Sequence, residues 1–332
     1  MAGVPVADGM TAHHGIEVLH YAAFTSVPEG GNPAGVALCA TAPEEAVMQA
    51  VAAEVGHSET VFLTPPPGAP PGPGAPAHEP AAADGSARAH GAAATQGSAG
   101  ADGPGRAFRA RYFSPLAEVP FCGHATVAAA VALAERSGPG TFRFATPVGE
   151  VPVTVGPDLH ATLTGVPPRV DPVEDGDLTE ALDALGWTPD ELDPGFPPRI
   201  AFAGARHLVL AAAGRQRLAA LDYDFERLAA LMRRTDLTTL QLVHADPAPG
   251  PHGERVFHAR NPFPVGGVVE DPATGAAALA FGGYLRALGL APDTSTLLLR
   301  QGEDLGRPSL LTVRMREGED RLTVSGAAFR IG

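Results

Sequence analysis

Pro120-Phe121-Cys122-Gly123-His124-Ala125-Thr126 opens a run of small residues, PFCGHATVAAAVALAERSG, that ends at Gly138, and Pro272-Ala273-Thr274-Gly275-Ala276 opens a second such run. Each stretch sets a glycine just ahead of an alanine-rich helix. A repeated entrance of this kind is economically read as the trace of a duplicated unit. The first turn of a helix carries N–H groups with no internal partner, and the aligned peptide dipoles place about half a positive charge there. Glycine at that point lets a ligand reach the backbone without a side chain in the way. Two such ends facing one another across a cleft would hold an acidic substrate and stabilise the negative charge formed when a neighbouring C–H loses its proton. Small residues at a helix start are also ordinary packing devices, so the pairing carries the reading.

Outward from the first entrance, the text alternates strands and turns. IEVLHYAAF from Ile16 reads as a strand, Gly30 to Pro33 as a turn, and GVALC as a second strand. Pro43, Glu44 and Glu45 start a helix whose Val47, Met48, Val51 and Val55 recur at helical spacing up to Gly56. The polar turn His57-Ser58-Glu59 then leads into TVFL, so Glu59 stands where a strand begins. Residues 65–106 are rich in Pro, Gly and Ala with almost no large apolar side chain, and are expected to be a disordered insertion in a surface loop. FRARYF and the first entrance helix belong to a half spanning 15–147, the strand pair TFRFATPVGEVPVTV (141–155) straddles its end, and 1–14 is expected as a disordered tail. The second half, 148–318, repeats the grammar with LHATLTGV, RHLVLAAA, a helix near Phe225 to Arg233, TTLQLVHA, a strand over Arg255 to Arg260, the second entrance helix, and the strands LLLRQG and SLLTVRMRE. The last strand, RLTVSGAAF within 319–332, is expected to return to the first half.

Length and composition bound the possibilities. The 332 residues suffice for about two ordinary domains. A formal charge of −14 argues against nucleic acid or an anionic membrane as partner, since both are gripped through basic side chains. No secretory signal is seen at the start and no segment approaches a membrane span, while a count of two cysteines fits a reducing cytoplasm. Cys39 and Cys122 are too few for a disulfide scaffold or a thiol metal site. All 23 basic residues are Arg, so Schiff-base chemistry on lysine, a P-loop lysine and a kinase-type lysine are excluded.

Proton transfer needs a titratable group beside the two entrances, and Glu59, His124 and Asp271 stand there. Partial burial at the start of an apolar strand would raise the pKa of Glu59 and let it act first as base and then as acid. The residues alone leave other roles open: Glu59 as a solvated turn carboxylate, His124 as a cap, Asp271 as a helix-capping acid. Racemising a tetrahedral carbon would need a base on each face, and the position matching Cys122 is Thr274, whose hydroxyl is far too weak an acid to complete a thiol pair.

At GNPAGV (31–36), SETVF (58–62), PFCGHAT (120–126), EDPATGAA (270–277) and QGEDLGRPS (301–309) the chain resembles the PhzF-like isomerase family, named for phenazine biosynthesis. That family shares the diaminopimelate epimerase fold. The resemblance implies an α+β fold of two pseudo-symmetric halves, each a curved, mostly antiparallel sheet around a central helix, with the active site in the cleft between them. It implies Glu59 as the acid/base of a double-bond shift in a small cyclic or unsaturated carboxylate of specialised metabolism. His124 and Asp271 would orient the substrate, and Gly123 and Gly275 would offer backbone N–H groups. Asn32, Ser58, Cys122, Thr274 and Ala276 complete the implied substrate contacts, in a homodimer without cofactor or metal. Some members of the family carry a serine after the second glycine where this chain has Ala276, so a hydroxyl near the reacting ring is missing. An amino-acid epimerase and a non-catalytic metabolite-binding protein remain the competing functions.

Overall fold

Apolar segments rich in Val, Phe and Ala, punctuated by glycine turns, build sheet through most of the chain. The computed structural model describes residues 10–66 and 106–332, with the backbone alone at Val4–Ala7. In chain order the first half holds β1 (Val4–Ala7), β2 (Met10–His13), β3 (Ile16–Ala23), β4 (Asn32–Leu38), α1 (Glu45–Val55), β5 (Glu59–Thr64), β6 (Ala107–Phe113), β7 (Glu118–Val119), α2 (Gly123–Ser137), β8 (Gly140–Thr146), β9 (Gly149–Val155) and β10 (His160–Thr164). The second holds β11 (Arg169–Pro172), α3 (Asp175–Leu185), β12 (Arg199–Phe202), β13 (Arg206–Ala211), α4 (Arg215–Ala219), α5 (Phe225–Thr235), β14 (Thr239–Ala245), β15 (Arg255–Phe263), β16 (Val268–Asp271), α6 (Gly275–Ala287), β17 (Ser295–Gln301), β18 (Ser309–Met315) and β19 (Thr323–Arg330). This is the α+β fold of the diaminopimelate epimerase type.

The duplication is written in the pairings. β4 lies parallel to β5, β5 antiparallel to β6, β6 parallel to β8 and β8 antiparallel to β9. The second half repeats those four steps with β13, β14, β15, β17 and β18. Helix α2 makes the crossover between β6 and β8, and α6 the one between β15 and β17. In the first half β3, β4, β5, β6, β8, β9, β10 and β19 pair in sequence, and β19 pairs back to β3, so the sheet closes into a barrel.

Helix α2 fills that barrel, with every residue from His124 to Ala134 buried. Its alanines explain how: a helix apolar on all sides and thin enough to be ringed by strands satisfies its own backbone and needs no wet face. Helix α6 is enclosed in the same way from Ala277 to Leu285, and one continuous core joins the two. The outer helices cover what remains. Met48, Val51 and Ala52 of α1 pack on Val18, Ala37, Phe62 and Phe113, while α3 and α5 pack around Trp187 against β13 and β14.

The structure departs from the expectations in three places, first at the boundary set at 147/148, because β9 (Gly149–Val155) and β10 (His160–Thr164) complete the barrel of the first half. The segment 1–14 is not wholly a disordered tail, because Met10–His13 pairs with Ile16–Leu19 of β3, and Val4–Ala7 pairs with it in turn. The insertion at 65–106 lies outside the described residues except for its ends. Between β10 and β13 the sequence reading skipped α3, β11 and β12, where acidic and proline residues mask the pattern. Among the described residues no helix is long and apolar enough to cross a membrane.

A turn at Gly30 and Gly31 forms the seam between the halves. Arg307 donates from Nε to the Gly31 carbonyl at 2.8 Å and from Nη2 to that of Gly30 at 3.0 Å, and Gly31 N–H donates to Pro308 O at 3.1 Å. A β-carbon on Gly30 would fall inside van der Waals contact of the Pro308 carbonyl oxygen and of Thr25 Oγ1. Gly30→Ala is therefore expected to force the halves apart at Asn32 and to destabilise the protein by about 1–3 kcal/mol, read by denaturant unfolding. An unchanged midpoint would show that the seam yields without cost.

Candidate active site

The parallel pairing of β4 with β5 sets Ala34 opposite Glu59, so Asn32 and Glu59 emerge at the same end of adjacent strands. Gly31, at φ 72°, supplies the left-handed turn that aims Asn32 inward. The first entrance brings Cys122, Gly123 and His124 to this end, and the second brings Asp271 and Thr274. His124, Asp271 and Ser58 converge on Asn32. Its Nδ2 donates to Asp271 Oδ1 at 2.6 Å and lies 3.1 Å from His124 Nδ1 and 3.3 Å from Ala273 O, while its Oδ1 accepts from Ser58 Oγ at 3.1 Å. One buried amide thus ties the two Gly-opened entrances together.

Glu59 faces His124 across 3.1 Å, Oε2 to Nε2, without the alignment of a hydrogen bond. Its side chain is only 15% exposed, which rules out the solvated-turn alternative. Burial alone would raise its pKa; the neighbouring His124, with Cys122 and Ser58, reverses that and holds the carboxyl below the usual range. His124 is pulled the opposite way. Burial lowers it, and its contacts with Cys122 and Glu59 more than compensate. Burial and the Glu59 charge push the Cys122 thiol up to about 11, so at neutral pH the sulfur is protonated and Glu59 is the anion that favours a charged ring. The Asn32 amide nitrogen against Nδ1 favours the neutral ring with its proton on Nε2. A proton arriving on His124 therefore calls for the Asn32 amide to turn over.

Asp271 is no helix cap, since α6 has Thr274 at its N-cap position and no side-chain cap. Its carboxyl is pushed up to about 6, first by burial and then by the Glu59 charge, against His124, Thr274 and Asn32. A group whose folded pKa is raised stabilises the fold below its unfolded pKa and loses that contribution as pH rises through the folded value. From the ordinary 3.8 to about 6 the loss is about 3 kcal/mol. Asp271→Asn is expected to remove this slope, so the stability difference between variant and wild type should shift between pH 4 and pH 6 in denaturant titrations. A difference independent of pH over that window would contradict the assignment.

Neither α2 nor α6 carries a side-chain cap, which leaves their first turns without a competing acceptor of that kind. Space for a ligand opens at Gly123, where nothing lies within 4 Å of a would-be β-carbon; at Gly275 Phe24 and Val324 stand at 3.5 and 3.6 Å. Thr274 and Ala276 are half-buried beside that second turn. Asn32 is 1% exposed and spends its amide inside the protein, so it orders the site rather than lining it.

Gln301 escaped the sequence reading. Its Nε2 donates to Asp271 O at 2.7 Å and to Thr274 Oγ1 at 3.0 Å, and its Oε1 accepts from Thr274 N–H at 3.1 Å, while Thr274 Oγ1 donates to Asp271 Oδ2. The signal was the alternation of Leu297, Leu299 and Gln301 on the inward face of β17.

The family model described as "Phenazine biosynthesis-like protein" matches residues 21–72 and 99–331. A protein of Escherichia coli (strain K12) named uncharacterized isomerase YddE is 31% identical, with 94% of this chain and 95% of that protein covered. The trans-2,3-dihydro-3-hydroxyanthranilate isomerase of Pseudomonas chlororaphis is 28% identical over 93% of this chain and 95% of its own. Among solved structures, a PhzF-family phenazine biosynthesis protein of Bacillus anthracis superposes with a TM-score of 0.74 at 21% identity, covering 96% of this chain and 97% of that one.

Proposed function

The chain belongs to the phenazine biosynthesis-like protein family and is an isomerase of PhzF-like type, and from that premise we propose that it shifts a proton within a small cyclic, unsaturated carboxylate, with Glu59 removing and returning it. The observation that carries this reading is the placement of a single buried, ionised carboxylate against His124 at the mouth of a Gly-opened helix. The substrate carboxylate rests on the uncapped first turns of α2 and α6, whose dipoles also stabilise the charge that develops when the C–H is broken. Glu59 takes the proton, the electrons delocalise through the double bonds toward the carboxylate, and Glu59 returns the proton at a second ring carbon on the same face. His124 and Asp271 orient the substrate.

Epimerisation is less well supported. The second face presents Thr274, whose hydroxyl is committed to Asp271, and the only thiol at the entrances stands at about 11. Ala276 favours a substrate that asks for no hydroxyl at that point, within the dienyl amino acids and hydroxy acids of specialised metabolism. A homodimer is part of the proposal, to be read by light scattering.

The test is incubation in deuterated water with trans-2,3-dihydro-3-hydroxyanthranilate and related cyclic dienyl carboxylates, followed by NMR. Double-bond migration with deuterium entering at the two exchanging carbons is expected for at least one of them. Tight binding of these compounds with neither migration nor exchange would favour the metabolite-binding alternative instead.

A further inference from the structure

Glu54 on α1 begins a line of hydrogen bonds that leads toward the active-site turn. Glu54 Oε2 lies 3.0 Å from His13 Nδ1, and Thr11 Oγ1 stands 2.8 Å from both His13 Nε2 and His20 Nε2. His20 Nδ1 in turn lies 2.8 Å from His57 Nε2. Strand pairing explains the alignment: Thr11 is opposite Val18, so Thr11, His13 and His20 share the face of β2 and β3 on which Val18 packs under α1. Thr11, His13 and His20 precede residue 21, where the family match begins, so they lie outside the family pattern.

Donors and acceptors fix the order of the protons. The Glu54 carboxylate only accepts, so His13 carries its proton on Nδ1 and, as a neutral ring, accepts at Nε2. Thr11 has one O–H and gives it to His13, so it accepts from His20 Nε2–H, and His20 Nδ1 accepts from His57 Nε2–H. Burial and His13 lower the pKa of His20; burial, with His20, Arg307 and His124, lowers His57 to about 4. Both rings are therefore neutral near pH 7. The outer end is wet, since the Glu54 side chain is 37% exposed and has exposed His14 at 3.3 Å. The inner end is His57, and the next residue, Ser58, donates to Asn32 Oδ1 at 3.1 Å and lies 3.2 Å from His124 Nε2.

We propose that Glu54, His13, Thr11, His20 and His57 form a proton wire that exchanges the proton held by Glu59 with bulk water, a cleft water bridging His57 Nδ1 to the Ser58–Glu59 turn. The service to Glu59 rests on the isomerase reading; the wire itself does not. A proton leaving Glu59 binds His57 Nδ1, and the His57 Nε2–H bond breaks as an N–H bond forms at His20 Nδ1. The His20 Nε2 proton passes to Thr11 Oγ1, the Thr11 hydroxyl proton to His13 Nε2, and the His13 Nδ1 proton to Glu54, which releases it to the buffer. The reverse passage brings in a solvent proton and restores every tautomer, so exchange needs no ring flip and consumes no net proton. His57 at about 4 stands close in basicity to a carboxylate, so the first step is nearly level.

The free full chain is tested first, by nitrogen-15 NMR of its histidine rings at neutral pH. His13 is expected to be neutral with its proton on Nδ1, and His20 and His57 neutral with theirs on Nε2. Thr11→Val, which keeps the shape and loses the hydroxyl, should slow exchange of the His20 ring proton with water severalfold, and Thr11→Ser should restore it. In deuterated water with a turned-over substrate, Thr11→Val should lower the deuterium entering per product severalfold, the substrate's own proton being retained instead, again with rescue by Thr11→Ser. A charged His13, the opposite tautomer at His20 or His57, or ring exchange unmoved in Thr11→Val overturns the wire with no substrate needed. Where the rings behave as expected but deuterium per product does not change, the service to Glu59 is overturned and the isomerase reading stands. Where no compound is turned over, that reading fails and the service to Glu59 with it, while the ring protons still decide the wire.

Discussion

Glu59→Gln is expected to lower turnover by about 10²–10⁴-fold, the contribution of a positioned general base, and to abolish deuterium incorporation into substrate. Glutamine matches the shape of the side chain and keeps an oxygen near His124, so the fold and the first turns of α2 and α6 are undisturbed. What it lacks is the charge. The Glu59 carboxyl is held below its ordinary 4.5, so it contributes stability above that pH which is lost as the pH falls, and the variant forgoes this share near neutrality. Substrate binding, owed mainly to the helix ends, is expected to survive, so kcat should fall far more than KM rises. Full exchange in the variant would remove Glu59 from the chemistry and send attention to Cys122.

The largest expected effect on stability lies behind the second entrance. Arg260 on β15 donates from Nε to both Glu270 carboxylate oxygens at 3.0 and 3.1 Å, and from Nη1 to the carbonyl of Ala219 at 2.8 Å. The Glu270 side chain is 0% exposed and that of Arg260 9%. Arg260→Met fills similar volume but strands a carboxylate in the interior, which typically costs about 3–5 kcal/mol. Burial already raises the Glu270 pKa even with its partner present, and without it the carboxyl takes up a proton more readily in the folded than in the unfolded chain. The deficit should therefore shrink as the pH falls, and the double variant Arg260→Met/Glu270→Gln should recover much of it near neutrality. A deficit constant across pH and unrelieved in the double variant would mean lost packing, not a stranded charge.

Much of the architecture could be read from text because its signals are local. A glycine before an alanine-rich run marks each enclosed helix, and the turn at His57 to Glu59 marks the start of β5. The missed elements lacked such signals: α3 begins with acids that keep its outer face wet, and β2 is four residues long, ordered by pairing with β3. The site divides in the same way. Residue types and motif order named Glu59, His124 and Asp271, but not that Asn32 joins them, since that bond spans 239 positions between two halves. Cys122 shows the same boundary: a cysteine at a helix start suggests a reactive thiol, and only burial beside a carboxylate reveals one pushed up to about 11.

The strand β19 has a consequence for how the molecule is made. One of its edges is shared between β18, at Thr323 to Ser325, and β3, at Ala328 to Arg330, while β10 runs along the other. The barrel around α2 thus lacks a stave until Thr323–Arg330 has left the ribosome. Closing it pairs Ala328 with Ala23, 305 positions apart, the kind of contact that slows folding. Until then the nascent first half carries an open seam and two free sheet edges, which makes this the interval when the polypeptide most needs shielding from its neighbours.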